Sequence, residues 1–303
     1  MTTNVSLIGY GEAGSTFAEA ARWSGARGFD LLAERRAAMA EAGVAACSTS
    51  AEALADAGIV LSLVTADQAL AAAKACAPLL APGALWCDMN SVAPETKRAA
   101  ARAVESAGGR YVDVAVLAPV DPAKLAVPLL LAGTAAADAA VALSALGFTD
   151  VRVVGDEVGR ASAIKMIRSV MVKGIEALTA EMILAADAAG VTDEVLASLD
   201  ASEKAHGWAK RAAYNLERMT THGVRRAAEM EESARTLVAL GVEPVMTRGT
   251  VQWQREMAGR PNPSPLMSSE VETSCAAATC LDFARHERAL AFDTSGEPKD
   301  RSE

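Results

Sequence analysis

Aromatic residues make up only 4% of this 303-residue chain, and histidine occurs three times. No His/Cys/Asp spacing in it indicates a metal site. Its five cysteines (Cys47, Cys76, Cys87, Cys275, Cys280) are odd in number and lack C-x-x-C spacing. Cys275 and Cys280 are five apart, which is poor geometry for a shared metal on a helix, so the thiols read as structural ones in a reducing cytoplasm. Positive charge is also short. The formal net charge is −9 and the pI about 5.0, which argues against nucleic acid or an anionic membrane as partner. That balance leaves room for an anionic cofactor, whose binding depends on local N–H groups. No apolar stretch reaches transmembrane length, because Asp67 and Lys74 interrupt the most hydrophobic region. Met1 to Asn4 lacks the basic region of a signal peptide. No repeat of fixed period is evident.

What the chain does have is 51% hydrophobic residues, weighted to alanine, and length enough for two domains. Up to about residue 155 apolar runs alternate with helical stretches. Strands are expected at 5–8, 27–32, 59–64, 85–89, 110–117, 129–131 and 151–154, with helices from Ser15, Ala33 and Pro94. Ile59–Val64 (IVLSLV) reads as a continuous apolar run, as in a strand covered on both faces. This alternation predicts a doubly wound, mostly parallel α/β sheet of the Rossmann type over residues 1–157. Beyond Asp156 helical spacing takes over. One long helix over 159–188 is expected to lead into an all-α domain spanning 158–293, with helices over 193–204, 207–221, 224–240, 247–258 and 267–291. The charged stretch 294–303 reads as a disordered tail.

The most specific signal lies at the N-terminal end, in Gly9-Tyr10-Gly11-Glu12-Ala13-Gly14, which follows the apolar run Val5–Ile8 and opens a helix. In a G-x-G-x-x-G turn the first glycine permits the bend and the second lets backbone approach a pyrophosphate. The third lets helix and strand pack closely. Phosphate then meets the open N–H groups and dipole of the helix N-terminus. Val64 and Thr65 stand at the end of one predicted strand and Asn90 and Ser91 at the end of another, where ligands of open α/β sheets bind. Asp30, sixteen residues after Gly14, stands near the spacing of an acid that meets the adenosine ribose. It would favour NAD by repelling a 2′-phosphate, whereas Arg35 and Arg36 offer a clamp for NADP. The balance tips to NAD.

A second informative stretch is Ala163-Ile164-Lys165-Met166-Ile167-Arg168-Ser169 in the long helix. Lys165, Arg168 and Ser169 are spaced to share one face. Partial burial and Arg168 would depress the pKa of Lys165 toward the range useful for proton exchange. The alternative is a lysine that snorkels to solvent.

At these residues the chain resembles the β-hydroxyacid dehydrogenase superfamily, which includes 3-hydroxyisobutyrate and 6-phosphogluconate dehydrogenases. It is most similar to a branch whose C-terminal domain has no assigned function. The resemblance implies a Rossmann domain, a long interdomain helix, an all-helical domain and a homodimer. Gly9, Gly11 and Gly14 match the cofactor fingerprint. Asp88-Met89-Asn90-Ser91-Val92-Ala93-Pro94 resembles the D-x-S-T-x-x-P stretch beside the nicotinamide ribose, and Lys165 matches the catalytic lysine. The family's D-A-P-V-S-G-G is replaced by Asp113-Val114-Ala115-Val116-Leu117-Ala118-Pro119, which puts apolar bulk and a donor-less proline in place of a carboxylate site. An asparagine of the family is Ser169 here, and its Lys-Asp pair is His222-Gly223. Arg168, His222 and one of Arg225 and Arg226 are the candidates for holding an acidic substrate. His222, at an expected helix start, has a structural reading beside the active-site one, and Trp208 and Tyr214 either line the cleft or pack, with packing favoured.

The function so implied is NAD- or NADP-dependent oxidoreduction of an alcohol/carbonyl pair, with Lys165 as general acid/base. Imine reduction is an alternative, and so is a non-catalytic NAD(P)-binding redox sensor. Absence of Tyr-x-x-x-Lys argues against short-chain dehydrogenase chemistry.

Overall fold

The computed structural model describes residues 4–202 and 207–260. Its sheet is built from β1 (Val5–Ile8), β2 (Arg27–Phe29), β3 (Ala45–Ala46), β4 (Ile59–Ser62), β5 (Leu85–Asp88), β6 (Arg110–Val116), β7 (Leu129–Ala132) and β8 (Val151–Gly155). The spatial order is β3-β2-β1-β4-β5-β6-β7-β8. All pairings are parallel except β6 with β7. From β1 the chain runs outward in one direction through β2 and β3, then returns to β4 on the other side. That reversal opens a crevice at the C-terminal ends of β1 and β4, where open α/β sheets bind ligands.

Helices α1 (Glu12–Ala21), α2 (Ala33–Ala38), α3 (Ser50–Leu54), α4 (Ala69–Cys76), α5 (Pro94–Ser106) and α6 (Ala136–Ala145) complete this part. Successive strand residues point to opposite faces, and two cores result. Leu7, Leu61, Cys87 and Val112 join Phe17 and Phe148 in one core, while Ile8, Val60, Trp86 and Tyr111 join Ala100 and Val104 in the other. Burial on both faces explains why Ile59–Ser62 shows no polar alternation. β2 stops at Phe29, short of its expected end, so Asp30 falls in the loop.

Helix α7 (Arg160–Ala189) follows, then α8 (Thr192–Ser202), α9 (Trp208–Ala239) and α10 (Val245–Met257). The chain divides into compact units at Gly174–Ile175, inside α7. In the second unit the expected break near residue 222 is absent, and α9 runs straight through His222 and Gly223. His222 is therefore an exposed residue within a helix, and not one that starts a helix. The reason is packing: a Cβ on Gly223 would lie 2.2 Å from the Gln254 carbonyl oxygen of α10. Gly223 serves a close helix–helix approach. Tyr214 is 55% exposed, against the expectation of packing, and its hydroxyl accepts from Arg218. Buried Glu181 accepts from the N–H groups of Met246 and Thr247, holding the start of α10. The helix expected over 267–291, the tail 294–303, Cys275, Cys280, His206 and His286 lie outside the described residues. Among the described residues no helix is long and apolar enough to cross a membrane.

Candidate active site

The three fingerprint glycines are needed for three different reasons. Gly9 has φ +95°, and a Cβ there would lie 2.6 Å from the Leu63 carbonyl oxygen, so the turn is pressed against the end of β4 where Val64 and Thr65 follow. A Cβ on Gly14 would lie 2.9 Å from the Gly9 carbonyl oxygen. Gly11 meets no described atom within 4 Å. It is the N-cap of α1 and makes no side-chain cap bond, so the first-turn N–H groups near Glu12 and Ala13 keep their capacity for an outside acceptor. Open space over a helix N-terminus fits a pyrophosphate.

Asp30 is bound into the same turn. Its carboxylate accepts from the Tyr10 N–H at 2.7 Å and from the Leu32 N–H at 2.9 Å, joining the glycine turn to the end of β2. Arg36 reaches back to donate to the Asp30 and Leu31 carbonyls, its guanidinium 6.0 Å from the Phe29 ring centroid. Arg35 is exposed on α2. The acid and the two arginines of the rival NAD and NADP readings therefore share the short segment from the end of β2 into α2.

At the end of β5, Asn90 is buried and donates to Ser62 and Asp88, while among the described residues its Oδ1 has no partner. A buried amide oxygen without a donor is costly, and a ribose hydroxyl or a carboxamide N–H would satisfy it. The glycine cradle and this orphaned acceptor both fit a nicotinamide dinucleotide.

Ser91 and Lys165, 74 residues apart, meet here. Lys165 Nζ donates to Ser91 Oγ at 2.5 Å. Burial, followed by the charges of Lys97 and Lys173, pushes the Lys165 ammonium down to about 8. The depressing neighbours are these two lysines, where the sequence pointed to Arg168. One turn along α7, Arg168 donates to the Leu117 carbonyl at 3.1 Å. Leu117 is buried and gives its N–H to Pro128, and half-buried Ala118 packs on the core. The Leu117 amide is thus spent within the fold, and the Arg168 guanidinium is brought to that segment. The Ser169 hydroxyl donates back to the Lys165 carbonyl. The structure so brings together Asn90, Ser91, Lys165, Leu117 and Arg168. His222 belongs to the second compact unit.

Sequence reasoning passed over Lys97. It is completely buried on α5, 3.0 Å from Asp88 and 3.5 Å from Asp113. The available signal was two aspartates, Asp88 and Asp113, inside apolar strands, since buried carboxylates call for a partner. Among the described residues no group of three or more His, Cys, Asp or Glu side chains is placed to hold a metal ion.

Comparison with known proteins agrees with this geometry. Residues 4–155 match the NAD binding domain of 6-phosphogluconate dehydrogenase, and residues 186–257 match a domain of unknown function, DUF1932. A conserved hypothetical protein from Sinorhizobium meliloti is 38% identical over 84% of this chain and 88% of its own, with a TM-score of 0.58. The conserved protein MTH1747, described as structurally similar to 3-hydroxyacid dehydrogenases, is 28% identical over 84% of this chain and 96% of its own, with a TM-score of 0.57. An imine reductase from Streptomyces aurantiacus shares the fold at a TM-score of 0.69, with 22% identity over 83% of this chain and 93% of its own. With its dinucleotide cradle and a family match across the whole sheet, the chain belongs to the β-hydroxyacid dehydrogenase superfamily and carries that superfamily's NAD(P)-binding domain.

Proposed function

We propose that the protein is an NAD(P)-dependent dehydrogenase acting on an alcohol/carbonyl pair, with Lys165 as the proton carrier. The observation that carries this reading is the Lys165–Ser91 contact beside the orphaned Asn90 acceptor. A bound nicotinamide supplies the hydride donor or acceptor. For alcohol oxidation, neutral Lys165 Nζ takes the hydroxyl proton. For carbonyl reduction, the Lys165 ammonium donates to the carbonyl oxygen. A value near 8 keeps both forms accessible close to neutrality. Ser91 fixes the direction in which Nζ points, which matters because hydride and proton transfers need aligned groups. Asn90 supports a ribose or carboxamide. Gly9, Tyr10, Gly11, Glu12, Ala13, Gly14, Val64 and Thr65 form the wall for the phosphates. Asp30 tips the choice to NAD, since a carboxylate at the end of β2 would repel a 2′-phosphate.

The substrate we infer is acidic and larger than a short hydroxyacid. Arg168 can hold a carboxylate in two parallel bonds. The Leu117–Ala118 segment makes an apolar wall where a small-carboxylate site would need free N–H groups. Ser169, one turn along α7 from Lys165, completes the candidate set in this unit. We also infer a homodimer. Ile164, Ile167 and Met171 form a stripe on α7 and are 39%, 73% and 49% exposed, an apolar face that a second copy would cover. The thiols Cys47, Cys76 and Cys87 are free and suit the cytoplasm.

An absorbance screen at the reduced-nicotinamide band tests the function, using NAD and NADP against hydroxyacids with small, long and aromatic substituents and against cyclic imines. Turnover of the larger hydroxyacids supports the reading. Turnover of imines alone would move the enzyme to imine reduction. Cofactor binding without turnover of any substrate would favour a redox sensor.

A further inference from the structure

Two carboxylates face each other inside the sheet. The parallel register sets Asp88 at the end of β5 directly beside Asp113 of β6. Like charges paired across strands repel, and both groups are fully buried. Lys97, projecting from α5, resolves this. Its Nζ donates to the Asp88 carbonyl at 2.5 Å and to Asp88 Oδ1 at 3.0 Å, and lies 3.5 Å from Asp113 Oδ1. The Tyr111 hydroxyl donates to Asp88 Oδ2 at 2.6 Å.

The two carboxylates serve different parts of the candidate site. Asp88 Oδ1 also accepts from the Asn90 N–H and Nδ2, which sets the loop that carries Ser91. Asp113 Oδ2 accepts from the Gly159 N–H, the Ser162 N–H and the Ser162 hydroxyl, which fastens the first turn of α7, three residues before Lys165. One ammonium therefore joins the loop bearing Ser91 to the helix bearing Lys165. We propose that Lys97 is a positioning residue for Lys165, acting through this buried ion network to register the helix against the Asn90–Ser91 loop and to keep a fixed positive charge behind the proton carrier.

A structural role alone would need charge balance and nothing more. Two features go further. The network's other ends are the partner loop of Lys165 and the start of its own helix. Lys97 is also the leading charged neighbour that disfavours the Lys165 ammonium, ahead of Lys173. The groups acting on Lys165 are Ser91 from the loop and Lys97 from α5, with Lys173 on its own helix. Removal of Lys97 takes away a positive charge and leaves Asp88 and Asp113 uncompensated. Both changes favour a protonated Lys165, so the two effects have the same sign.

This inference rests on the reading of Lys165 as proton carrier, and its test is separable from that reading. The full chain, without cofactor or substrate, is labelled briefly with acetic anhydride across a pH series. Acetylation of the Lys165 peptide, read by mass spectrometry, follows the neutral amine. The wild-type midpoint is expected near 8. In Lys97→Met it rises by roughly half a pH unit or more, which is about threefold less labelling at pH 7. Lys97→Arg keeps the charge and returns the midpoint to the wild-type value. Should Lys97→Met fail to fold, Lys97→Gln removes the same charge and keeps a donor for Asp88. An unchanged midpoint in either folded neutral variant overturns the proposal, as does a displaced midpoint in Lys97→Arg. If Lys97→Met moves the midpoint while Lys165→Met keeps its turnover, the network stands and the proton-carrier role falls.

Discussion

A methyl group added at Gly9 should damage the fold, and the same group at Gly11 should damage only cofactor binding. At Gly9 the backbone sits at φ +95°, where a side chain costs roughly 1–2 kcal/mol. The new Cβ would lie 2.6 Å from the Leu63 oxygen and 2.9 Å from the Val64 nitrogen, both backbone atoms at the end of a central strand. Neither can swing aside as a side chain would, so relief requires moving the end of β4. The total expected for Gly9→Ala is about 2–4 kcal/mol. That corresponds to a fall of about 5–15 °C in Tm for a unit of this size. At Gly11 the Cβ has open space and φ is not positive, so Gly11→Ala changes stability by about 1 kcal/mol or less. The methyl does, however, stand over the N–H groups that a pyrophosphate would use. Loss of one charge-assisted hydrogen bond weakens the dinucleotide about 10- to 100-fold. Thermal denaturation gives the first quantity, and fluorescence titration with NADH and NADPH gives the second. A Gly9→Ala variant that melted with the wild type, or a Gly11→Ala variant that bound as tightly, would refute the assignment of the two glycines.

Three further outcomes are expected. In the oxidative direction kcat/KM should rise with pH to a plateau through an apparent pKa near 8, because neutral Lys165 is needed; carbonyl reduction should fall through the same value. A pH–rate profile flat from 6 to 9 would contradict this. Lysine burial costs stability while the folded group stays below its free value of 10.5, so the Lys165 contribution improves as pH rises from about 8 to 10.5. The difference in denaturation midpoint between wild type and Lys165→Met should change across that window and stay constant below it. Asp30→Ala removes the acceptor of two backbone N–H groups, so it should cost about 1–3 kcal/mol and weaken cofactor binding along with stability. Weakened binding with unaltered stability would mean that Asp30 serves the ribose alone.

Much of the sheet could be read from the chain because β4 and β5 are covered on both faces and so stay apolar up to the Ser62 and Asp88 that end them. The two-residue β3 was not legible: Ala45 and Ala46 are exposed, and so short a strand leaves no pattern. Gly223 misled for a physical reason. A glycine in a helical stretch suggests a break, and here it admits the backbone of a neighbouring helix. The resemblance singled out Ser91 and Lys165 separately and left their contact to the structure, whereas nothing singled out Lys97. In Pro94-Glu95-Thr96-Lys97-Arg98 it resembles any exposed helix start, and only the register of Asp88 with Asp113 reveals why a charge is buried there. His222 carried the weakest inference, since its place in α9 belongs to a unit separate from that of Lys165.

The central claim is that Lys165 moves the proton in a nicotinamide-dependent reaction. The most direct measurement compares wild type and Lys165→Met by absorbance at the reduced-nicotinamide band, with cofactor binding checked in parallel. Removal of a general acid/base predicts a loss in kcat on the order of 100-fold or more with cofactor affinity retained. Turnover near the wild-type rate in a Lys165→Met protein that binds cofactor would contradict the account.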